Sequence, residues 1–171
     1  MAVVGAPKVG LRPMVDSDVA TVRALNVLVQ PSPWSEGFLR DQLERPETNT
    51  NLVVETDMGI VVGHGSLAVV ADEGHITSVA VVPTCQRQGV GTRLVAALCR
   101  DACARGLTAM TLEVRTSNEA AISLYRRFGF APAGIRPSYY CDPDGTATDA
   151  LVMWLHDVDD TVFLGLIGAE F

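Results

Sequence analysis

The segment Val79-Ala80-Val81-Val82-Pro83-Thr84-Cys85-Gln86-Arg87-Gln88-Gly89-Val90-Gly91-Thr92 decides how this chain folds. It passes from an apolar β-branched stretch, through a proline, into a polar loop with two glycines. A helical pattern follows: Leu94, Val95, Leu98, Ala102 and Cys103 share one face of Thr92–Arg105, and Gly106 stands where that helix ends. The amides at a helix start have no internal partner, and glycine lets a backbone approach a ligand closely. Amides curled at such a start make an anion nest, the helix dipole adds to it, and Arg87 and Arg93 bring charge. A glycine-rich turn that merely joins two elements is the plain alternative. The loop is not a Walker A motif, because no Lys-Ser/Thr follows Gly91, nor is it GxGxxG.

Working outward, Val9–Pro13 reads as a first strand, and Asp16 or Ser17 as the cap of a helix carrying Val19, Val22, Leu25 and Val29. Pro31 and Pro33 end it, and Ser35 caps a second short helix through Leu43. Asn51–Thr56 and Ile60–Val70 flank Asp57-Met58-Gly59 as a hairpin, and His75–Val82 is the strand that enters the loop. Beyond the long helix come a strand at Thr108–Thr116, a helix at Glu119–Phe128 closed by Gly129, and a hairpin. The hairpin joins Arg136–Cys141 to Asp149–Leu155 around Asp142-Pro143-Asp144-Gly145. Hairpins mixed with two strand–helix crossovers predict an α/β layered fold on a mixed sheet.

The 171 residues suit one domain, assigned to 1–157, with 158–171 as an extension whose run Val162–Ile167 needs cover. With 48% hydrophobic and 19% charged residues the composition is that of a globular protein, and no apolar run is long enough for a membrane span. Met1–Gly10 lacks the pattern of a secretory signal, which points to the cytoplasm. Cys85, Cys99, Cys103 and Cys141 form no CxxC pair and read as buried free thiols, so no metal is expected. The net charge of −7 is uneven: from Thr84 to Arg136 eight arginines face three acids, a balance of +5, which leaves −12 on the remainder. A basic segment in an acidic protein fits a local anionic ligand and disfavours nucleic acid as partner. The oligomeric state stays open.

The loop Gln86–Gly91 after Val79-Ala80-Val81 resembles that of the GNAT acyl-CoA N-acyltransferases. Pro33-Trp34-Ser35, His75-Ile76-Thr77, Leu112-Glu113-Val114-Arg115 with Ser117-Asn118, Leu124-Tyr125, Gly129-Phe130, Arg136 with Tyr139-Tyr140, and Asp149-Ala150 with Met153 extend the likeness. Over residues 10 to 157 the pattern is similar to the ribosomal-protein alanine N-acetyltransferases (RimI-like). The resemblance implies a mostly antiparallel central sheet flanked by helices, with acetyl-CoA as co-substrate. It further implies transfer to the N-terminal α-amine of an alanine-starting small-subunit ribosomal protein, or of a similar protein. The alternatives are a small-amine or antibiotic N-acetyltransferase on the same scaffold, and a non-catalytic acyl-CoA-binding module.

By the same resemblance, the backbone of Val79, Ala80 and Val81 holds the pantetheine arm, with the Val81 N–H toward the oxyanion. The amides of Arg87, Gln88, Gly89, Val90, Gly91 and Thr92 hold the pyrophosphate, and Asn118 touches the cofactor. As residues alone, Asn118 is equally a helix cap. Glu113 is implied as the base; on its strand it shares a face with Thr111 and Arg115, and a surface pair with Arg115 is the alternative. Tyr125, two helical turns past Asn118, is implied as the acid that protonates the CoA sulfur; core packing beside Leu124 and Phe128 is its alternative. Tyr139 and Tyr140 are implied to line the peptide groove, against a reading as buried strand aromatics. Trp34 either packs the second helix or reaches the substrate mouth. His64 and His75 read as strand residues, since neither completes a nucleophile triad. Thr148 departs from the pattern, standing where the resembling enzymes usually carry a glutamate.

Overall fold

The computed structural model describes residues 8–30 and 32–158, so the run at 162–167 lies outside the described residues. Seven strands form one sheet in the order β1-β2-β3-β4-β5-β7-β6. They are β1 Val9–Pro13, β2 Asn49–Thr56, β3 Val61–Val70, β4 Glu73–Val81, β5 Ala109–Arg115, β6 Ala131–Cys141 and β7 Ala147–His156. The helices are α1 Val19–Val29, α2 Glu36–Leu43, α3 Val90–Ala104 and α4 Glu119–Arg127. Only β4 and β5 run parallel; the other neighbouring pairs are antiparallel, as the mostly antiparallel reading expects. Of the two crossovers expected, β4–α3–β5 gives parallel neighbours. The other leads to the outer strand β6, and β7 returns between β5 and β6.

Strand alternation sorts the core onto two faces. Leu52, Val54, Leu67, Ile76, Met110, Leu112, Val114, Met153 and Leu155 pack beneath α3 and α4. Val53, Val61 and Ala80 face α1 and α2 with Val19, Val22, Leu25 and Leu39. Helix α3 lies close to β3 because Gly63 and Gly65 leave room: a Cβ on Gly63 would stand 2.9 Å from Val90 Cγ1, and one on Gly65 3.2 Å from Leu94 Cδ2. Ser35 caps α2 as expected, its Oγ accepting from the Phe38 amide at 3.1 Å. At α1 the expected caps are not used. Asp18 stands at the N-cap, its carboxylate taking the Val15 amide at 2.9 Å and the Arg12 guanidinium at 2.7 and 3.0 Å.

Strand β6 begins five residues before its expected start. The added stretch holds Pro132 and Gly134, which an edge strand tolerates because it carries ladder bonds on one side only. The four cysteines are free thiols, yet only Cys99 is fully buried, and Cys141 is exposed at the end of β6. Among the described residues no helix is long and apolar enough to cross a membrane.

Candidate active site

The site begins where β4 and β5 part. Their parallel ladder ends at the Ile76–Leu112 pair, although β4 continues to Val81 and β5 to Arg115. The cause lies in β4. Between the Leu67–Ile76 and Ser66–Ser78 pairs with β3, Thr77 is an extra residue, a bulge that bends the strand away from β5. Val82 donates its N–H to Val62 O on β3 at 2.9 Å, and successive residues of a strand point their amides to opposite sides. The amides of Val79 and Val81 therefore face the gap, where Gln86 Nε2 donates to Val81 O at 3.1 Å.

A cavity of about 1100 Å³ opens beside this gap, lined among others by Val79, Val81, Arg87, Gly89, Gly91, Thr92, Asn118 and Tyr125. Arg87 and Gly89 both adopt left-handed backbone, with φ of 63° and 83°, which curls the loop onto the start of α3. Gly89 is the N-cap of α3 and has no side chain to take up the first amides of the helix. Space stands open over its Cα, while a Cβ at Gly91 would come 3.3 Å from Leu124. Gln88 braces the loop, its Nε2 donating to Thr84 O at 2.9 Å. Uncapped amides, open backbone and a basic loop together fit a pyrophosphate.

Glu113 projects from β5 on the face opposite Leu112 and Val114, and its side chain is only 7% exposed. Its Oε2 lies 2.6 Å from His75 Nε2 on β4, and its Oε1 lies 3.3 Å from a terminal nitrogen of Arg136 on β6. The alternative pairing with Arg115 is not formed. Arg115 instead makes a two-pronged contact with Asp142, at 2.8 and 3.2 Å, and donates to Thr148 Oγ1. Tyr125, on α4, is buried edge-on to Phe130 with ring centroids 5.9 Å apart. Burial, followed by the proximity of Tyr140, raises its hydroxyl pKa above the ordinary phenol range. Asn118 caps α4 by accepting the Ala121 amide at 3.1 Å while also lining the cavity.

The β6–β7 hairpin lies outside the cavity lining and reaches Glu113 through Arg136. Tyr139 and Tyr140 stand edge-on with ring centroids 5.0 Å apart, Tyr139 exposed and Tyr140 half-buried. Burial, followed by Tyr139 and Glu113, pushes the Tyr140 hydroxyl up to about 12, and nearby Arg115 opposes that shift.

A bulge-splayed parallel pair with an uncapped glycine loop behind it agrees with the sequence comparison: residues 19–130 match the model of the Acetyltransferase (GNAT) family. The chain belongs to the GNAT acetyltransferase family. Its relatives include the [Ribosomal protein bS18]-alanine N-acetyltransferase of Escherichia coli, 42% identical over 72% of this chain and 80% of that protein. The crystal structure of the ribosomal-protein-S18-alanine N-acetyltransferase from Escherichia coli superposes with a TM-score of 0.78 at 32% identity, covering 88% of this chain and 94% of that one. Ard1 from Thermoplasma volcanium gives 0.77 at 25% identity over 88% and 99%.

Within this GNAT site most residues singled out in the sequence come together, and a few stand apart. Ala80 is buried on the α1 face and Val90 in the core, so each offers the site only its main chain. Trp34 packs against Phe38, ring centroids 4.9 Å apart, and joins the cluster under α1 and α2. Nothing in the sequence marks His75 as a partner of Glu113, and Arg136 stands there only as part of a pattern. The offset between the parallel strands, which sets His75 against Thr111 beside Glu113, is not written locally.

Proposed function

We propose that this GNAT enzyme transfers the acetyl group of acetyl-CoA to the N-terminal α-amine of a protein in the cytoplasm. The acceptor is an alanine-starting protein of the small ribosomal subunit. The observation that carries this reading is the shielded Glu113 carboxylate held by His75 and Arg136, with the Tyr139–Tyr140 ring pair and the buried Tyr125 nearby. The names of the Escherichia coli relatives support the same acceptor.

Acetyl-CoA supplies an activated thioester. The chain does the rest. The amides of Arg87 to Thr92 bind the pyrophosphate, and the gap-facing amides of Val79 and Val81 bind the pantetheine arm, with the Val81 N–H placed for the developing oxyanion. Glu113 takes a proton from the acceptor's ammonium, which leaves a neutral amine whose lone pair attacks the thioester carbonyl. Its task is modest, because an α-amino group has a pKa of about 7.7–8.0 whereas a lysine side chain lies near about 10.4. His75 and Arg136 fix the two oxygens of the carboxylate, which keeps its free lone pairs aimed at the mouth. Tyr125 remains a neutral phenol and so retains the proton that the departing sulfur needs.

A panel of acceptors tests this function: an alanine-starting peptide, the same peptide blocked at its N-terminus, free alanine and a polyamine, each with acetyl-CoA and analysed by mass spectrometry. The unblocked peptide is the expected substrate, modified at its α-amine. Equal turnover of the polyamine would replace this reading with a small-amine acetyltransferase, and binding of acetyl-CoA without any transfer would leave a binding module.

A further inference from the structure

We propose that Arg115 is a positioning residue for the acceptor, clamping the β6–β7 hairpin so that the Tyr140 ring bounds the pocket for the first acceptor residue and keeps that residue small. The inference rests on the function proposed above and assigns a task to a side chain that the transfer chemistry does not use.

The main chain alone does not fix the tyrosine wall. The β6–β7 ladder loses register between Arg136 and Tyr140: Arg136 pairs with Ala150, and the next pair is Tyr140 with Thr148. Residues 137 to 139 therefore stand out of the ladder. Ser138 lies in left-handed backbone at φ 54°, its amide held by Asp149 Oδ1 at 2.8 Å. The pair at which the ladder resumes is the one that Arg115 grips. Its guanidinium donates to Thr148 Oγ1 and lies over the Tyr140 ring with Cζ 4.6 Å from the centroid, while its two terminal nitrogens fork onto Asp142 in the hairpin turn. One side chain from β5, 20% exposed, thus ties β6, β7 and their turn to the strand that carries Glu113.

The contacts run on from there. Tyr140 meets Tyr139 edge-on, Arg136 lies over the Tyr139 ring at 5.6 Å, and Arg136 reaches Glu113 at 3.3 Å. Guanidinium and ring alternate from the hairpin turn to the carboxylate, so the wall and the base are one assembly. Tyr140 is also the ring near both ends of the chemistry, since its ionisation is opposed by Glu113 and that of Tyr125 is opposed by Tyr140. A ring held there limits the first acceptor side chain. Only arginine can both fork onto a carboxylate and stack flat on an aromatic face. With threonine at 148, the carboxylate that anchors this fork comes from Asp142 in the turn.

Three variants of the full chain test the clamp: Arg115→Met, Arg115→Lys and Asp142→Asn. Each is assayed on peptides that start with alanine or leucine, and for acetyl-CoA affinity by titration. In Arg115→Met the KM for the alanine peptide should rise about tenfold, with kcat changed far less and acetyl-CoA affinity unchanged. The preference for alanine over leucine should shrink about tenfold, the scale on which pocket walls discriminate apolar side chains. Lysine should rescue little, because it restores charge but not the fork. Asp142→Asn, on the exposed side of the contact, should move the same quantities in the same direction and covers the case in which Arg115→Met does not fold. Hydrogen exchange of residues 137–149 reads the clamp with no acceptor present and should quicken about tenfold in each variant that breaks it. Unchanged exchange together with an unchanged alanine preference overturns the proposal. A parent enzyme that modifies no α-amine, with exchange quickened in the variants, would refute the function and, with it, the selectivity assigned to a clamp that is nevertheless real.

Discussion

Glu113 is a buried acid whose neighbours decide its use. A carboxylate shielded to 7% exposure needs partners, and His75 and Arg136 supply one for each oxygen. Replacing Glu113 with Gln should lower kcat on an alanine peptide by about 10²–10⁴-fold with acetyl-CoA affinity intact, and Tyr125→Phe should do likewise; steady-state kinetics and calorimetry read both. His75→Ala leaves the carboxylate but frees its aim, so a smaller loss, up to about a hundredfold, is expected. His64 makes a contrasting case. It is fully buried, neither ring nitrogen has a hydrogen-bond partner among the described residues, and burial pushes its pKa from 6.5 down to about 4. Between those two values the unfolded chain takes up a proton that the native state refuses, so stability is complete above about pH 6.5 and falls as the pH drops toward 4. The slope should total about 3 kcal/mol and be abolished in His64→Phe, as urea unfolding across that pH range would show. In the sequence both histidines look alike, as polar residues in β runs. Only the strand offsets separate the one that meets an acid from the one that meets a helix.

At the scale of elements, the loop and α3 were legible because their signals are local: a proline, two glycines and a 3.6-residue apolar period. The bulge at Thr77, which opens the site, was not, because it arises from a mismatch between β3 and β4 rather than from any residue in either. The same holds for the start of β6, where proline and glycine mimic a loop on a strand that only its edge position permits. Two substitutions separate the loop's roles. Gly89→Glu forces a side chain into left-handed backbone at φ 83° and sets a negative charge in the amide nest, so acetyl-CoA affinity should be lost while the fold survives; titration calorimetry and thermal melting read the two effects. Gly63→Val instead drives a branched side chain into Val90 and Leu94, which should cost about 1–3 kcal/mol in urea unfolding and shift the helix start that the loop depends on.

The whole molecule joins an acidic body to a basic site. The +5 balance between Thr84 and Arg136 gathers in the loop, α3, β5, α4 and the first half of β6, the elements that border the cavity and carry Glu113 and Arg136. Long-range charge therefore draws an anionic ligand to one side and leaves −12 on the remainder, which favours encounter with a basic acceptor. Fold class, the glycine loop and most of the residues gathered at the candidate site could be read from the chain because each depends on a short pattern. The arrangement around Glu113 could not, because it joins β4, β5 and β6 across breaks in their ladders. Transfer to a protein's α-amine is read out by fragmentation mass spectrometry of an intact alanine-starting small-subunit ribosomal protein incubated with this enzyme and acetyl-CoA. One acetyl group is expected, located on the first residue and absent when Glu113→Gln replaces the parent enzyme. Acetylation confined to lysine side chains, or equal modification by Glu113→Gln, would contradict it.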